Sequence, residues 1–174
     1  LTLSVMFLAL PAVAGGPAWG GFKTPSKRKA EAVGTYTNGC LMGGQTLPEK
    51  SEGLISIRRY RNRYYGHPRL IDVLNRFGQA VEREGIGPVL VGDLSQPQGG
   101  PMATGHRSHQ MGLDADLWFK VPKKSKRNED KHFPSMVVRK TEKISKHWTT
   151  REARLIELAA KDPQVERIFV HWVI

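Results

Sequence analysis

The sequence predicts an α+β domain in which a small, mainly antiparallel sheet carries packed helices. Three observations lead there: an apolar stripe at helical spacing after Pro68, short apolar runs at 54–57 and 88–91, and alternation of apolar and acidic residues over 113–119. The 174 residues are 39% hydrophobic and 25% charged, which suits one domain of ordinary size and excludes fibrous, collagen-like and wholly disordered classes.

Residues 1–10 are apolar apart from Thr2 and Ser4, and Pro11, Ala12, Val13 and Ala14 follow. An apolar core of about ten residues is too short for a stable membrane span and suits an export signal cleaved after Ala14. The basic region that should precede it is missing, so 1–14 is read as a partial signal peptide. Residues 15–35, rich in Gly, Lys and Ala without periodicity, are read as a leader, and the fold is expected to begin near Tyr36.

Leu54, Ile55, Ser56 and Ile57 suggest a strand. Pro68 stands where a helix can begin without losing a useful N–H, and Leu70, Ile71, Leu74, Phe77 and Val81 line one face that ends before Gly85. Pro88, Val89, Leu90 and Val91 form a short buried strand. Residues 95–105, dense in Gly, Pro and Gln, predict a surface loop of the kind that carries sites. Over 113–119, Leu113, Ala115, Leu117 and Phe119 face one way, while Asp114 and Asp116 share the other.

Residues 120–131 are a charge-rich excursion. Thr149 and Glu152 form a capping box for a helix bearing Leu155, Ile156, Leu158 and Ala159. Val165 to Val170 reads as a last, β-branched strand, and the chain stops four residues beyond it at Ile174. Domains rarely end so soon after a core strand, so 36–174 is expected to be an incomplete domain lacking its C-terminal part.

Lys and Arg outnumber Asp and Glu by 27 to 16, a formal charge of +11. An exported basic protein is drawn to an anionic wall polymer, and nucleic acid would attract it equally. The densest cluster is Lys123, Lys124, Lys126, Arg127 and Lys131. A single cysteine, Cys40, excludes an internal disulfide and a four-cysteine zinc site.

The chemistry concentrates between Gly105 and Asp116. His106 and His109 stand three residues apart, Gly112 allows the chain to reverse, and Asp116 projects from the polar face of the following strand. Imidazole nitrogens and a carboxylate oxygen suit Zn2+. Taken alone, the spacing fits either a metal corner or loop histidines beside a solvated strand. It is not a helical His-Glu-x-x-His site, because Met111 and Gly112 break that pattern.

Ser108-x-His109-x-x-Gly112-x-Asp114-x-Asp116 resembles the His-x6-Asp half of the zinc site in the lysostaphin, D-Ala-D-Ala metallopeptidase and hedgehog group. Within that group it is most similar to penicillin-insensitive murein endopeptidases. The likeness extends to Thr37-Asn38-Gly39-Cys40, Thr46-Leu47-Pro48, Arg63-Tyr64-Tyr65-Gly66-His67-Pro68, Val91-Gly92-Asp93 and Arg167-Ile168-Phe169-Val170, and so covers roughly residues 36–170.

The resemblance implies a hedgehog and DD-peptidase-like α+β fold, with His109 and Asp116 as zinc ligands and His106 as a further histidine at the same metal. The family completes its site with a downstream His-x-His pair, one ligating and one acting as acid or base, and this sequence contains no His-x-His. The acid or base histidine is therefore expected downstream of Ile174. His171 is the best internal substitute. His67, His132 and His147 are read as structural, and Asp114 as a neighbour of the ligands. In the resembled enzymes the counterpart of Cys40 pairs with a cysteine near the C-terminus.

The implied activity is zinc-dependent hydrolysis of D-alanyl to meso-diaminopimelyl cross-links in peptidoglycan, in the periplasm, with cross-link peptides as partners and no nucleic acid. A homodimer is left open. Tyr64, Tyr65 and Trp118 either line a peptide groove or pack into the core. The competing reading is a noncatalytic, exported, basic module that binds cell wall polymer.

Overall fold

The computed structural model describes residues 19–119, 133 and 135–174. The signal-peptide reading of 1–14, the basic run over 120–131 and His132 lie outside the described residues.

The first paired element is a hairpin, β1 (Glu31–Thr35) with β2 (Asn38–Met42), in antiparallel register from Glu31 opposite Met42 to Thr35 opposite Asn38. Pairing thus begins inside the segment expected to be a leader. Gly and Ala in that segment hide a short strand that has no apolar alternation to betray it. Next come β3 (Gln45–Thr46), β4 (Lys50–Ser51), β5 (Leu54–Ser56) and β6 (Tyr65–Gly66). A 3-10 turn at Arg59–Arg61 lies between β5 and β6, flanked by Arg58 and Asn62 in left-handed conformations.

Helix α1 (Pro68–Arg83) starts as expected, with Pro in its first turn and the His67 ring accepting the Arg69 N–H at 3.2 Å. It buries Ile71, Leu74, Phe77 and Val81, as the spacing predicts, and also Gly78. Gly78 lies on this face for steric reasons, because a Cβ there would come within 2.2 Å of the Glu52 carbonyl oxygen. Strands β7 (Val89–Val91) and β8 (Leu117–Trp118) complete a four-stranded sheet ordered β4-β5-β7-β8. Only β5 and β7 are parallel, and α1 lies on the connection between them. Two further antiparallel pairs are β3 with β6, and β9 (Val137–Val138) with β10 (Lys143–Ile144).

Helix α2 (Thr150–Ala160) carries the expected capping box and buries Leu155 and Leu158 against α1 and the sheet. The core joins Leu47, Leu54, Val89, Val91 and Leu94 to these helix faces. Arg151 fastens α2 to the sheet by donating to the carbonyls of Ile86, Phe119 and Pro88 at 2.7, 2.6 and 3.4 Å. The α+β class predicted from the sequence is the observed one.

Three local expectations are corrected. The strand expected over 113–119 is paired as a strand only at Leu117–Trp118, although Ala115, Leu117 and Phe119 do pack on the core. The cause is a two-to-one offset: the Gly92 N–H donates to the Asp116 carbonyl while the Asp116 N–H donates to that of Asp93, the arrangement of a β-bulge. The segment 95–105 is a loop as expected, but only its second half is at the surface: Pro101 and 103–105 are exposed, whereas Ser95, Gln96, Pro97, Gly99 and Gly100 are buried. The Gln96 side chain makes that burial tolerable by donating to the carbonyls of Gly99, Gly100 and Pro101. Residues 165–170 are not a strand; among the described residues no strand pairs with them, and Phe169 is 88% exposed. The chain beyond them closes in a turn, where the Ile174 N–H donates to the His171 carbonyl at 2.9 Å.

Candidate metal centre

The bulge brings the ends of β7 and β8 together with the loop that carries the histidines. Gly112 turns that loop with φ +65°, and its carbonyl accepts the His67 N–H at 2.8 Å, which ties the turn to the start of α1. A Cβ at this glycine would come within 2.7 Å of Leu41 Cδ2 and 3.0 Å of the His67 nitrogen. His109 also has positive φ, 68°, an uncommon conformation for a residue with a side chain. Gln110 braces it from behind, accepting the Gly39 N–H and donating to the carbonyls of Thr37 and Arg107.

The structure brings His106, His109 and Asp116 together, with one donor atom from each within 4.8 Å of the others. His109 is 2% exposed. Its Nδ1 lies 2.9 Å from Asp114 Oδ2, and its Nε2 lies 3.5 Å from Asp116 Oδ1. The two histidine rings meet edge to face with centroids 4.9 Å apart, and His106 Nδ1 is 3.7 Å from Asp116 Oδ2. Asp116, with 40% of its side chain exposed, opens the cluster to solvent.

Burial disfavours charge on His109, but the carboxylate of Asp114 against Nδ1 and that of Asp116 facing Nε2 outweigh it and push its pKa up to about 10. Burial likewise opposes charge on Asp116, yet His109 first, then His106 and Arg61, hold its carboxyl below the ordinary value. A buried imidazole Nε2 without a hydrogen-bond partner faces this carboxylate. That orphaned atom, a second imidazole and a carboxylate form a donor set that fits a divalent zinc ion, which would take the place of the His109 proton.

Several neighbours of the site were not singled out by sequence reasoning. Asp93, 3% exposed, directs Oδ2 at His106 Nε2 (3.4 Å), Arg61 (3.0 Å) and Arg63 (2.9 Å). The available signal was the Val91-Gly92-Asp93 stretch of the family likeness, an aspartate two residues after the apolar run of β7. A groove of about 450 Å³ beside His106 is lined by Thr37, Pro101, Met102, Arg107 and Gln110. The other described histidines stand apart from the cluster: His67 caps α1, His147 precedes α2, and His171 stacks on Trp172. The acid or base histidine expected downstream of Ile174 lies outside the described residues. Tyr65 belongs to the core at 5% exposure, while the Trp118 ring lies under the Arg58 guanidinium and against Phe133.

A sequence model of the penicillin-insensitive murein endopeptidase family matches residues 32–174. The chain belongs to this family. It is 48% identical over 147 residues to the penicillin-insensitive murein endopeptidase of Haemophilus influenzae, an alignment covering 82% of this chain and 51% of that relative. It is 34% identical over 176 aligned residues to the proteins of the same name from Salmonella paratyphi B and Salmonella newport, covering 98% of this chain and 64% of each. The chain therefore spans between half and two thirds of the length of these murein endopeptidases. Among the described residues no helix is long and apolar enough to cross a membrane.

Proposed function

We propose that this chain carries part of a zinc-dependent murein endopeptidase that hydrolyses D-alanyl to meso-diaminopimelyl cross-links of peptidoglycan in the periplasm. The observation that carries the reading is the His109 Nε2 atom, buried and unpartnered 3.5 Å from Asp116 Oδ1 in a member of this family. His109 and Asp116 are the zinc ligands in this reading, with His106 a further donor at the same ion. The acid or base histidine is assigned to sequence downstream of Ile174.

Zinc held there supplies a Lewis acid for a peptide carbonyl and lowers the pKa of its water to about 7, so no serine nucleophile is required. The protein's own groups set the frame. Asp114 fixes the His109 ring, the Gly112 turn delivers it to the cluster, and Asp116 faces both the ring and the solvent side from which a peptide would arrive. The groove beside His106 offers room for one arm of a cross-link.

The test is zinc stoichiometry by chelator competition, together with mass-spectrometric detection of cross-linked muropeptide cleavage, in the intact protein containing this chain. One tightly bound zinc and release of a free diaminopimelyl amine are expected. His109→Ala and Asp116→Ala should each remove both. Tight zinc with cleavage retained in either variant would overturn the assignment, and wall binding without zinc or cleavage would favour a noncatalytic module.

A further inference from the structure

We propose that Asp93 is the positioning residue for His106, holding the ring so that Nε2 carries the proton and Nδ1 turns a lone pair toward Asp116. The consequence for metal binding rests on the zinc reading above, whereas the ring geometry does not.

Asp93 is almost wholly buried, and its Oδ2 lies 3.0 Å from Arg61 and 2.9 Å from Arg63. Guanidinium groups only donate, so this oxygen serves as an acceptor. The third group facing it is His106 Nε2 at 3.4 Å, and an acceptor there selects the ring form protonated at that nitrogen. The other nitrogen, Nδ1, faces a second acceptor, Asp116 Oδ2, but at 3.7 Å it is beyond hydrogen-bond reach, so the nearer carboxylate of Asp93 decides where the proton sits.

The backbone makes Asp93 suited to this task. Its carbonyl accepts the Asp116 N–H at 2.9 Å through the bulge, so one residue holds Asp116 by main chain and His106 by side chain. Arg63, 8% exposed, extends the grip by donating to the Thr104 carbonyl (3.0 Å) and hydroxyl (3.2 Å), two residues before His106. The ring is thus steadied from its own loop as well as from β7. Outer carboxylates of this kind fix the tautomer and direction of a metal-binding histidine.

The experiment is nitrogen-15 NMR of histidine-labelled, metal-free full chain, titrated upward in pH until the His106 shifts themselves report a neutral ring, with His106→Gln used only to assign the signal. His106 should show a protonated Nε2 and an unprotonated Nδ1. Asp93→Asn should mix the tautomers and weaken zinc binding by about 10–100-fold, with Asp93→Glu recovering part of the loss. A wild-type spectrum with the proton on Nδ1, or an even mixture, would overturn the proposal whether or not the asparagine variant folds. The expected tautomer in a chain that binds no zinc would support the Asp93 geometry and remove the zinc reading instead.

Discussion

His109 and Asp114 meet twice at one atom: Nδ1 of the ring lies 2.9 Å from the Asp114 carboxylate and 3.3 Å from its carbonyl oxygen. Both oxygens are acceptors, which keeps a proton on Nδ1 and makes Nε2, facing Asp116, the nitrogen whose proton a metal would replace. A single residue therefore decides which nitrogen of the buried histidine is offered to the cluster.

Asp114→Ala removes the side-chain half of that brace. Zinc affinity should fall by about 10–100-fold, the range found when the outer partner of a metal-binding histidine is lost. Asp114→Asn keeps an oxygen that can accept and should fall less. Chelator competition measures both, and an unchanged constant in the alanine variant would sink the role assigned to Asp114.

Gly112→Ala forces a side chain into φ +65° and into contact with Leu41 and the His67 backbone. Strain of this kind costs about 1–3 kcal/mol, before any clash is counted. Urea unfolding should show a loss at least that large. Because the turn delivers His109, zinc affinity should drop alongside stability; a stable variant with full affinity would show that the turn tolerates other routes.

Glu152 ties its carboxylate to the Thr149 hydroxyl and N–H and to Arg151. Burial opposes its charge, but these bonds prevail and hold its pKa below the ordinary 4.5. A folded-state pKa below the unfolded one gives stability that is full above about pH 4.5 and is lost as pH falls through the folded value. Glu152→Gln should cost about 1 kcal/mol near neutral pH, and the gap from wild type should close in acid. Thermal unfolding across pH reads this directly; a gap that widens in acid would contradict the sign.

Arg151→Lys tests whether shape or charge fastens α2. One ammonium cannot replace a guanidinium that reaches the carbonyls of Ile86, Pro88 and Phe119 together. Half-buried carbonyls left without this partner cost at most the lower end of about 1–3 kcal/mol, so the midpoint of urea unfolding should fall accordingly. A lysine variant as stable as wild type would mean that charge alone suffices.

The parts of this fold that were legible in the sequence are those whose cause is local. Pro68 and the stripe through Val81 announce α1, and Thr149 with Glu152 announces α2, because caps and helical spacing act within a few residues. His109 and Asp116 were legible for a similar reason: one loop and the segment leading from it into β8 carry both. Asp93 and Arg63 stood in stretches of the family likeness, but their place beside His106, with Arg61, was not legible, since what joins them is a parallel crossover and a bulge, and neither leaves a mark in the spacing of residues.

The errors have a physical source too. Gly, Pro and Gln over 95–100 look like solvent-exposed chain, yet the Gln96 side chain supplies from within the hydrogen bonds that water would otherwise provide. Residues 165–170 have the composition of a strand but lack a paired edge among the described residues, and composition alone forms no ladder.

Gln110 gives the β1–β2 hairpin an influence beyond its size. Since its amide grips Gly39 and Thr37 on one side and Arg107 on the other, the hairpin cannot peel away without also releasing the backbone beside His106. Hairpin and histidine loop therefore open as one cooperative unit, and amide hydrogens in the two should exchange with solvent at a shared free energy, well below that of the strands beneath α1. The site is kept in order by an element that contributes no donor to it.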